Sequence, residues 1–507
     1  MSEIYRKIKE NCWVERFAVL MIGILLVFGT LYRTGTIASG FHMLDDHELI
    51  RYHLAFSENN ASLAGTIKAA IVNDFAGGRY RPLYWTERVT GCKLFGDELA
   101  WWNYYTAIKG VLTFYFLYYV ARYLKYNRIL SFLFVGIILF GRQFTPWFRS
   151  ANQESTGLLL CAFTLCLIAR QCYHKKYNNV AYNIVIVVGT VLCGLVKESF
   201  TLFMPVFAAL KIWLEYCDRG KLVNCLRKNI AVYLVIALSM MINVIMIVFY
   251  VGIDQVSYAG FHEGVSLADY WSGIVYSLKF NMGSYTIAGG VFLFAIVMYV
   301  LEISKELRKK YLWFAAISAY VMAVQLIAHA KSLMWERYMI PWVVGYAFLF
   351  VLLGYRIFEQ NKWRRTVYTA VLIILFLVEA PKAYQMSRDY AYDGQMLRVY
   401  FQNILDNTDE ESQVVCAFRD EEINLATECW LEVHGRTQVY SYDTLTGEFK
   451  NIVQLKGAVP EEFSWEQARV VVCYGDQVEI MLQLMGLSEE SSYSVNQYSS
   501  YSVISVL

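Results

Sequence analysis

Eleven apolar runs recur along this chain, at about 17–39, 102–121, 129–147, 154–172, 180–196, 199–214, 229–250, 285–303, 311–329, 337–355 and 366–384. Each is about the length a helix needs to cross a hydrocarbon core of roughly 30 Å. Inside a bilayer every backbone N–H and C=O must be satisfied within the segment, so runs of this kind fold as helices. With 57% hydrophobic residues and only 17% charged ones, a soluble protein is excluded. Disorder, a disulfide scaffold and collagen-like repeats are excluded too, because Pro is 6 and Gly 31. The expected fold class is an α-helical polytopic membrane protein.

Charge then divides the chain. Residues 1–384 carry 38 Lys and Arg against 23 Asp and Glu, whereas residues 385–507 carry 7 against 20. The first part reads as a transmembrane module, the second as a small acidic domain of its own. If the N-terminus with Arg6, Lys7, Lys9 and Arg16 is cytoplasmic, the next inside segments are 122–128, 170–176, 211–228, 305–310 and 356–365. These six places hold 23 of the 38 basic residues of the module. The positive-inside bias acts on short loops like these, so the N-terminus is expected in the cytoplasm of a multi-pass cell-membrane protein, and an odd number of spans puts the C-terminal domain outside. The first span, with its long apolar run, reads as a retained anchor rather than a cleaved signal.

The two longest outer loops are expected at about 40–101 and 251–284. The first contains amphipathic stretches, Leu63 to Phe75 and Arg81 to Phe95, with Trp85, Trp101 and Trp102 as interfacial anchors. Residues 385–507 read as α/β. Strands are expected at Gln413 to Phe418, Gln438 to Tyr442, Arg469 to Tyr474 and Tyr501 to Leu507, and helices at Ile423 to Val433 and Gln477 to Leu487. No phosphate-binding glycine loop, nucleophile elbow or His cluster occurs there, so this domain is expected to be an accessory or acceptor-binding module. The 11 cysteines form no C-x-x-C pair and read as small buried apolar residues.

Ionisable residues at membrane depth are costly, so their positions point to function. Here they collect at the outer ends of spans: Asp45, Asp46, His47 and Glu48 after the first, Glu154 at the start of the fourth, Lys197 and Glu198 between the fifth and sixth, and His329, Lys331, Glu336 and Arg337 between the ninth and tenth. Each alone could simply mark a span end; together they are expected to form one polar cavity opening outward. Adjacent Asp45 and Asp46 repel one another and need a cation or proton to settle. RYRPLYW, Arg79 to Trp85, sets two guanidiniums beside aromatics, which suits a phosphate, a sugar or an anionic headgroup. Arg81 is favoured, because Pro82 restricts its backbone.

An acidic pair in the first outer loop resembles the GT-C class of polytopic glycosyltransferases, which use polyprenyl- or dolichyl-phosphate sugars and include protein O-mannosyltransferases and the aminoarabinose transferase of lipid A. Glu154, within Asn152 to Thr156, resembles the second acidic site of that class. KESFTLFMP, from Lys197 to Pro205, is similar to its Lys-Glu turn, and ERYMIP, with Arg337, Tyr338 and Pro341, to the Arg-Tyr motif that contacts the lipid-linked phosphate. The resemblance spans about 1–384. It departs in having Asp-Asp where Asp-Glu is commoner, and nothing after about 385 carries a family signature.

The resemblance implies a GT-C-like module that moves a sugar, with inversion, from a polyprenyl-phosphate donor to an extracytoplasmic acceptor (a surface glycan, lipid or protein). Asp45 is then the general base and Asp46 the acceptor-orienting acid, the two being exchangeable, with Glu154 positioning the acceptor. Arg337, Lys197 and Arg81 are the phosphate-binding cations, and His47, Glu198, Tyr338 and Arg79 support them. Protein cations can neutralise a leaving phosphate, so no obligatory metal is expected; a divalent ion on Asp45, Asp46, His47 and Glu48 is the alternative. The rivals are a transporter or flippase, for which clear repeats and midplane acids are lacking, and a surface-polysaccharide polymerase or ligase. The basic residues serve topology, so nucleic acid is not an expected partner.

Overall fold

The computed structural model describes residues 12–43, 45–57, 59–150, 152–220, 222–252, 265–300, 305–330, 336–444, 446–450, 463, 465, 468–488 and 492–506. The chain is an α-helical polytopic membrane protein with a small C-terminal α/β sheet. Seven described helices are long and apolar enough to cross a membrane: Trp13–Arg33, Gln153–Tyr173, Glu198–Arg219, Ile230–Tyr250, Lys310–Ala328, Glu336–Phe358 and Lys362–Asp406. A helix pair, Leu267–Asn281 and Gly283–Val297, bends by 97° and makes an eighth candidate. The other three expected spans are helices as well. Leu99–Tyr123 has 25 residues, while Arg128–Leu139 and Val180–Gly194 are apolar but shorter. Two differences from expectation stand out. The outer segment 251–284 is partly helical from Leu267, and the last span runs on as one helix to Asp406.

Helix starts in the bundle are set by asparagine. The side chains of Asn127, Asn152 and Asn179 accept the N–H of Leu130, Ser155 and Tyr182 at 2.9, 3.0 and 3.1 Å. Each satisfies a backbone donor that the first turn leaves open. The helix ends just before Asn127 and Asn179 are less usual. After Tyr123 and after Tyr173 the chain turns through Lys125 and Lys175, both left-handed at φ 69° and 54°. That conformation costs a non-glycine residue roughly 1–2 kcal/mol, whereas a cation at a helix C-terminus gains only about 0.3–1 kcal/mol.

The chain divides into two compact units. One comprises residues 1–33, 69–86 and 105–387; the other comprises 34–68, 87–104 and 388–507. The second is built on a six-stranded sheet of β1 (Gln413–Cys416), β2 (Val439–Asp443), β3 (Glu448–Lys450), β4 (Ala468–Tyr474), β5 (Tyr493–Tyr498) and β6 (Tyr501–Val506). Their order across the sheet is β3-β2-β1-β4-β6-β5. β1 is parallel to β2 and β4; the outer pairs are antiparallel. β3 and β5 are additions to the sequence-based expectation, since neither carries an apolar run.

Side chains alternate across this sheet, as the strand period of two requires. Val415, Val471, Cys473 and Ile504 face Met481 of the Val478–Leu484 helix. On the other face, Val414, Cys416, Val470, Val472 and Val503 are covered by Phe41, Met43, Ile50 and Leu54 as well as by Tyr400, Phe401 and Ile404. The start of the first outer loop is thus part of the core of this α/β unit. Trp102 is buried there, its ring against Gly91 and its Nε1–H donated to Gly96 O at 3.1 Å. Of the three tryptophans expected as interfacial anchors, only Trp101 is exposed, while Trp85 and Trp102 are buried by the helices around them.

Candidate functional site

The candidate residues fall into two clusters, one in each unit, and each is described by itself. The first lies where three helices of the bundle begin. Glu154 is the second residue of Gln153–Tyr173, placed by the Asn152 cap. Lys197 is extended (φ −160°) in the break between Val180–Gly194 and the helix from Glu198. Arg337 and Tyr338 sit on the tight turn Glu336–Met339 that opens the next span, with Pro341 fixing its first turn.

These three starts meet. Lys197 Nζ donates to Glu154 Oε1 at 2.6 Å, and both side chains are almost completely buried. The same ammonium lies 3.8 Å from the centre of the Tyr338 ring, whose other neighbours are His329, stacked at 5.0 Å, and the Arg337 guanidinium at 5.0 Å. Arg337 Nη2 donates to the Tyr338 hydroxyl at 3.1 Å. Gln325 holds the turn by donating to Tyr338 O. Glu154 Oε2 is buried and has no hydrogen-bond partner among the described residues. A buried carboxylate oxygen of that kind is costly unless a donor arrives.

Around this core the two arginines of RYRPLYW are held by carboxylates. Arg79 makes a two-pronged contact with Glu198, at 2.9 and 3.1 Å, and Glu198 also accepts the Tyr80 N–H at 3.0 Å. Arg81 is engaged by Asp74, donates to Gln153 Oε1 at 3.1 Å, and lies over Tyr84 and Trp85 at 5.0 and 5.6 Å. The sequence singled out Glu154, Lys197, Glu198, Arg337, Tyr338, Arg79 and Arg81, and the fold brings all seven into this network. It missed Asp74, Gln153 and Gln325. Asp74 carries a signal of its own, as the one acidic residue of the Leu63–Ala76 helix.

The second cluster surrounds Asp45, Asp46 and His47, at the start of the Asp46–Ser57 helix. Asp46 is buried, and its Oδ2 accepts the backbone N–H of His42 at 2.9 Å, tying the loop to the helix start. Asp45 is left-handed at φ 71°, and its carbonyl receives a guanidinium N–H of Arg88. Arg88 also bridges to Glu48 at 3.0 Å. His47 is buried; desolvation, with the charge of Arg88 beside it, brings its pKa down to about 4, so the imidazole is neutral at pH 7. Asp46 and Glu48 are therefore turned to different partners. Among the described residues no group of three or more His, Cys, Asp or Glu could hold a metal ion. Lys331 lies outside the described residues.

No protein-family model matches the chain, and no curated protein matches it. Among solved structures it is similar to the oligosaccharyltransferase of Archaeoglobus fulgidus tethered with an acceptor peptide containing the NVT sequon via a disulfide bond, with a TM-score of 0.45 at 11% identity over 99% of this chain and 75% of that one. The same enzyme in complex with zinc and sulfate gives 0.42 at 11% identity, over 96% and 73%. A likeness of this degree carries no chemistry across, so what the chain does has to be read from its own side chains.

Proposed function

We propose that this protein is a GT-C-like membrane glycosyltransferase that moves a sugar from a polyprenyl-phosphate donor to an acceptor on the extracytoplasmic face. The observation that carries the proposal is the buried Glu154–Lys197 pair packed on Tyr338 beside Arg337. A polytopic protein keeps acids and cations in its bundle at considerable cost, and retains them for substrate rather than for stability.

In the proposed step Asp45 takes the proton of an acceptor hydroxyl, and the resulting oxygen attacks the anomeric carbon. The bond from that carbon to the phosphate oxygen breaks, and configuration inverts because attack and departure are on opposite faces. The leaving polyprenyl phosphate gains negative charge, which Arg337 stabilises, with Arg81 and Lys197 contributing. Lys197 is held by Glu154 and Arg81 by Asp74, which fixes both cations in place. Glu154 orients the acceptor through its second oxygen. Asp46, whose carboxylate accepts the backbone N–H of His42, is assigned the acceptor-orienting part, and the two assignments are exchangeable. Protein cations suffice for a phosphate leaving group, so activity without added metal is expected.

The test is transfer of label from a panel of polyprenyl-phosphate sugars by the full-length protein, with Asp45→Asn as control and with and without chelator. Asn tolerates the left-handed backbone as well as Asp does, so the variant keeps its fold. Turnover that vanishes in the variant and survives chelation supports the proposal. Undiminished turnover in the variant overturns the base assignment, and absence of both turnover and donor binding overturns the enzyme.

A further inference from the structure

The pole of the bundle that carries the basic loops holds a cleft of about 280 Å³, formed by segments 123–126, 172–177, 213–218 and 353–356 together with Tyr311. That is too large for one or two structural waters and close to the lower bound of small-molecule pockets. Its lining carries three cations, Lys125, Lys175 and Arg356, against one carboxylate, Asp218. Lys175 reaches Asp218 at 3.1 Å, and Arg356 reaches Glu359 at 2.8 Å while lying 5.1 Å from the Tyr126 ring centre. Lys125 makes no ion pair among the described residues. The walls between them are largely aromatic, with Tyr123, Tyr126, Tyr173, Tyr177, Trp213 and Tyr311.

The backbone makes this arrangement more than a collection of surface lysines. Lys125 and Lys175 both occupy left-handed positions that end two different helices at the rim of the same cleft. Glycine takes that conformation without strain and is the usual residue there. Cap hydrogen bonds hold both turns, Lys125 N–H to Arg122 O at 3.0 Å and Lys175 N–H to Cys172 O at 2.9 Å, and so fix the two lysine stems at the rim of the cleft.

We propose that this cleft binds the phosphate headgroup of an anionic membrane lipid, at the opposite pole from the Glu154 cluster and independently of the transfer reaction. The two lysines and Arg356 take the phosphate, the aromatic rings pack on its glycerol, and the acyl chains lie along the apolar bundle. Basic pockets between helices on the positively flanked side suit such headgroups.

The test is titration of dihexanoyl phosphatidic acid, dihexanoyl phosphatidylcholine and inorganic phosphate into the full-length protein in a neutral detergent, followed by calorimetry and thermal unfolding. Saturable binding of phosphatidic acid is expected, with much weaker binding of the other two. Lys125→Gly combined with Lys175→Gly should lower that affinity about thirtyfold, while leaving the unfolding temperature without lipid unchanged or higher because the strain is relieved. The Lys125→Asn, Lys175→Asn pair, also compatible with a left-handed backbone, should behave alike. Wild-type affinity in both pairs overturns the site. Equal binding of phosphatidylcholine overturns the charge argument, and equal binding of inorganic phosphate overturns the lipid as its source.

Discussion

Asp45 holds its carboxylate on a left-handed backbone, φ 71°, and residues kept in that conformation concentrate where function needs them. Removing a general base costs about 10²–10⁴-fold in rate; Asp45→Asn should lose kcat by that order with expression intact, checked by label transfer at saturating donor. Arg337→Ala removes a charge-assisted contact of about 1.5–3 kcal/mol. Its effect should appear as a ten- to hundredfold loss of kcat/KM for donor with little change for acceptor, and equal losses for both would argue against a phosphate contact. Glu428 offers a test separate from catalysis. Buried in the Glu421–Val433 helix and facing the charge of Glu432, its carboxyl is raised to about 9, even with Arg51 nearby. Between pH 4.5 and 9 the unfolded chain has released this proton and the folded one has kept it, so stability is lost as pH rises through that window. Glu428→Gln cannot ionise. Its unfolding temperature should fall less between pH 5 and 9, with a gain of the order of a few kcal/mol at pH 8; an unchanged pH profile would show that Glu428 is not the titrating group. Residues such as Asp45, Glu154, Lys197 and Arg337 were legible in the sequence because a charge beside an apolar run is conspicuous. Asp74, His42 and Arg88, which hold Arg81, Asp46 and the Asp45 carbonyl, lie in the first outer loop, where polar residues are ordinary.

At the scale of elements, a glycine sets the close approach on which the first cluster depends. A Cβ on Gly157 would lie 2.4 Å from the Phe200 ring, so the Gln153–Tyr173 and Glu198–Arg219 helices touch here because residue 157 has no side chain. Glu154 is one turn before Gly157 and Lys197 three residues before Phe200, so this contact governs their 2.6 Å pair. Gly157→Ala should cost about 1–3 kcal/mol through overpacking and reduce transfer with it; pairing it with Phe200→Leu should restore both, measured by unfolding and by label transfer. The helices of the first outer loop were also readable. Leu63–Ala76 and Pro82–Phe95 match the expected amphipathic stretches, whereas Asp46–Ser57 was hidden because its charged start masks the apolar face that Leu49, Ile50 and Leu54 form. The bend of 97° in Leu267–Asn281 and Gly283–Val297 leaves no proline or charge run to read.

At the scale of the molecule, residues 34–68 and 87–104 form one compact unit with 388–507. Phe41, Met43, Ile50 and Leu54 cover one face of the sheet. A chain ending at residue 384 would leave those side chains in water, at about 1.5–3 kcal/mol for each large apolar residue. Such a truncation should therefore aggregate or be degraded rather than accumulate as a folded bundle, as judged by monodispersity after extraction. A monodisperse product with normal donor binding would show that the α/β domain is a separable accessory after all.

By itself the sequence determined the rough position of the apolar helices, the acidic α/β domain after them and the charged residues at the helix starts. Those follow from local quantities: the length of an apolar run against a hydrocarbon thickness, the alternation of side chains in a strand, and the cost of a charge at membrane depth. Only the tertiary structure decided which charges pair, which arginines are held by carboxylates and which face of the sheet the first loop covers. These depend on contacts between residues tens to hundreds of positions apart, such as Arg79 with Glu198 or Phe41 with Phe401, and no pattern along the chain encodes them.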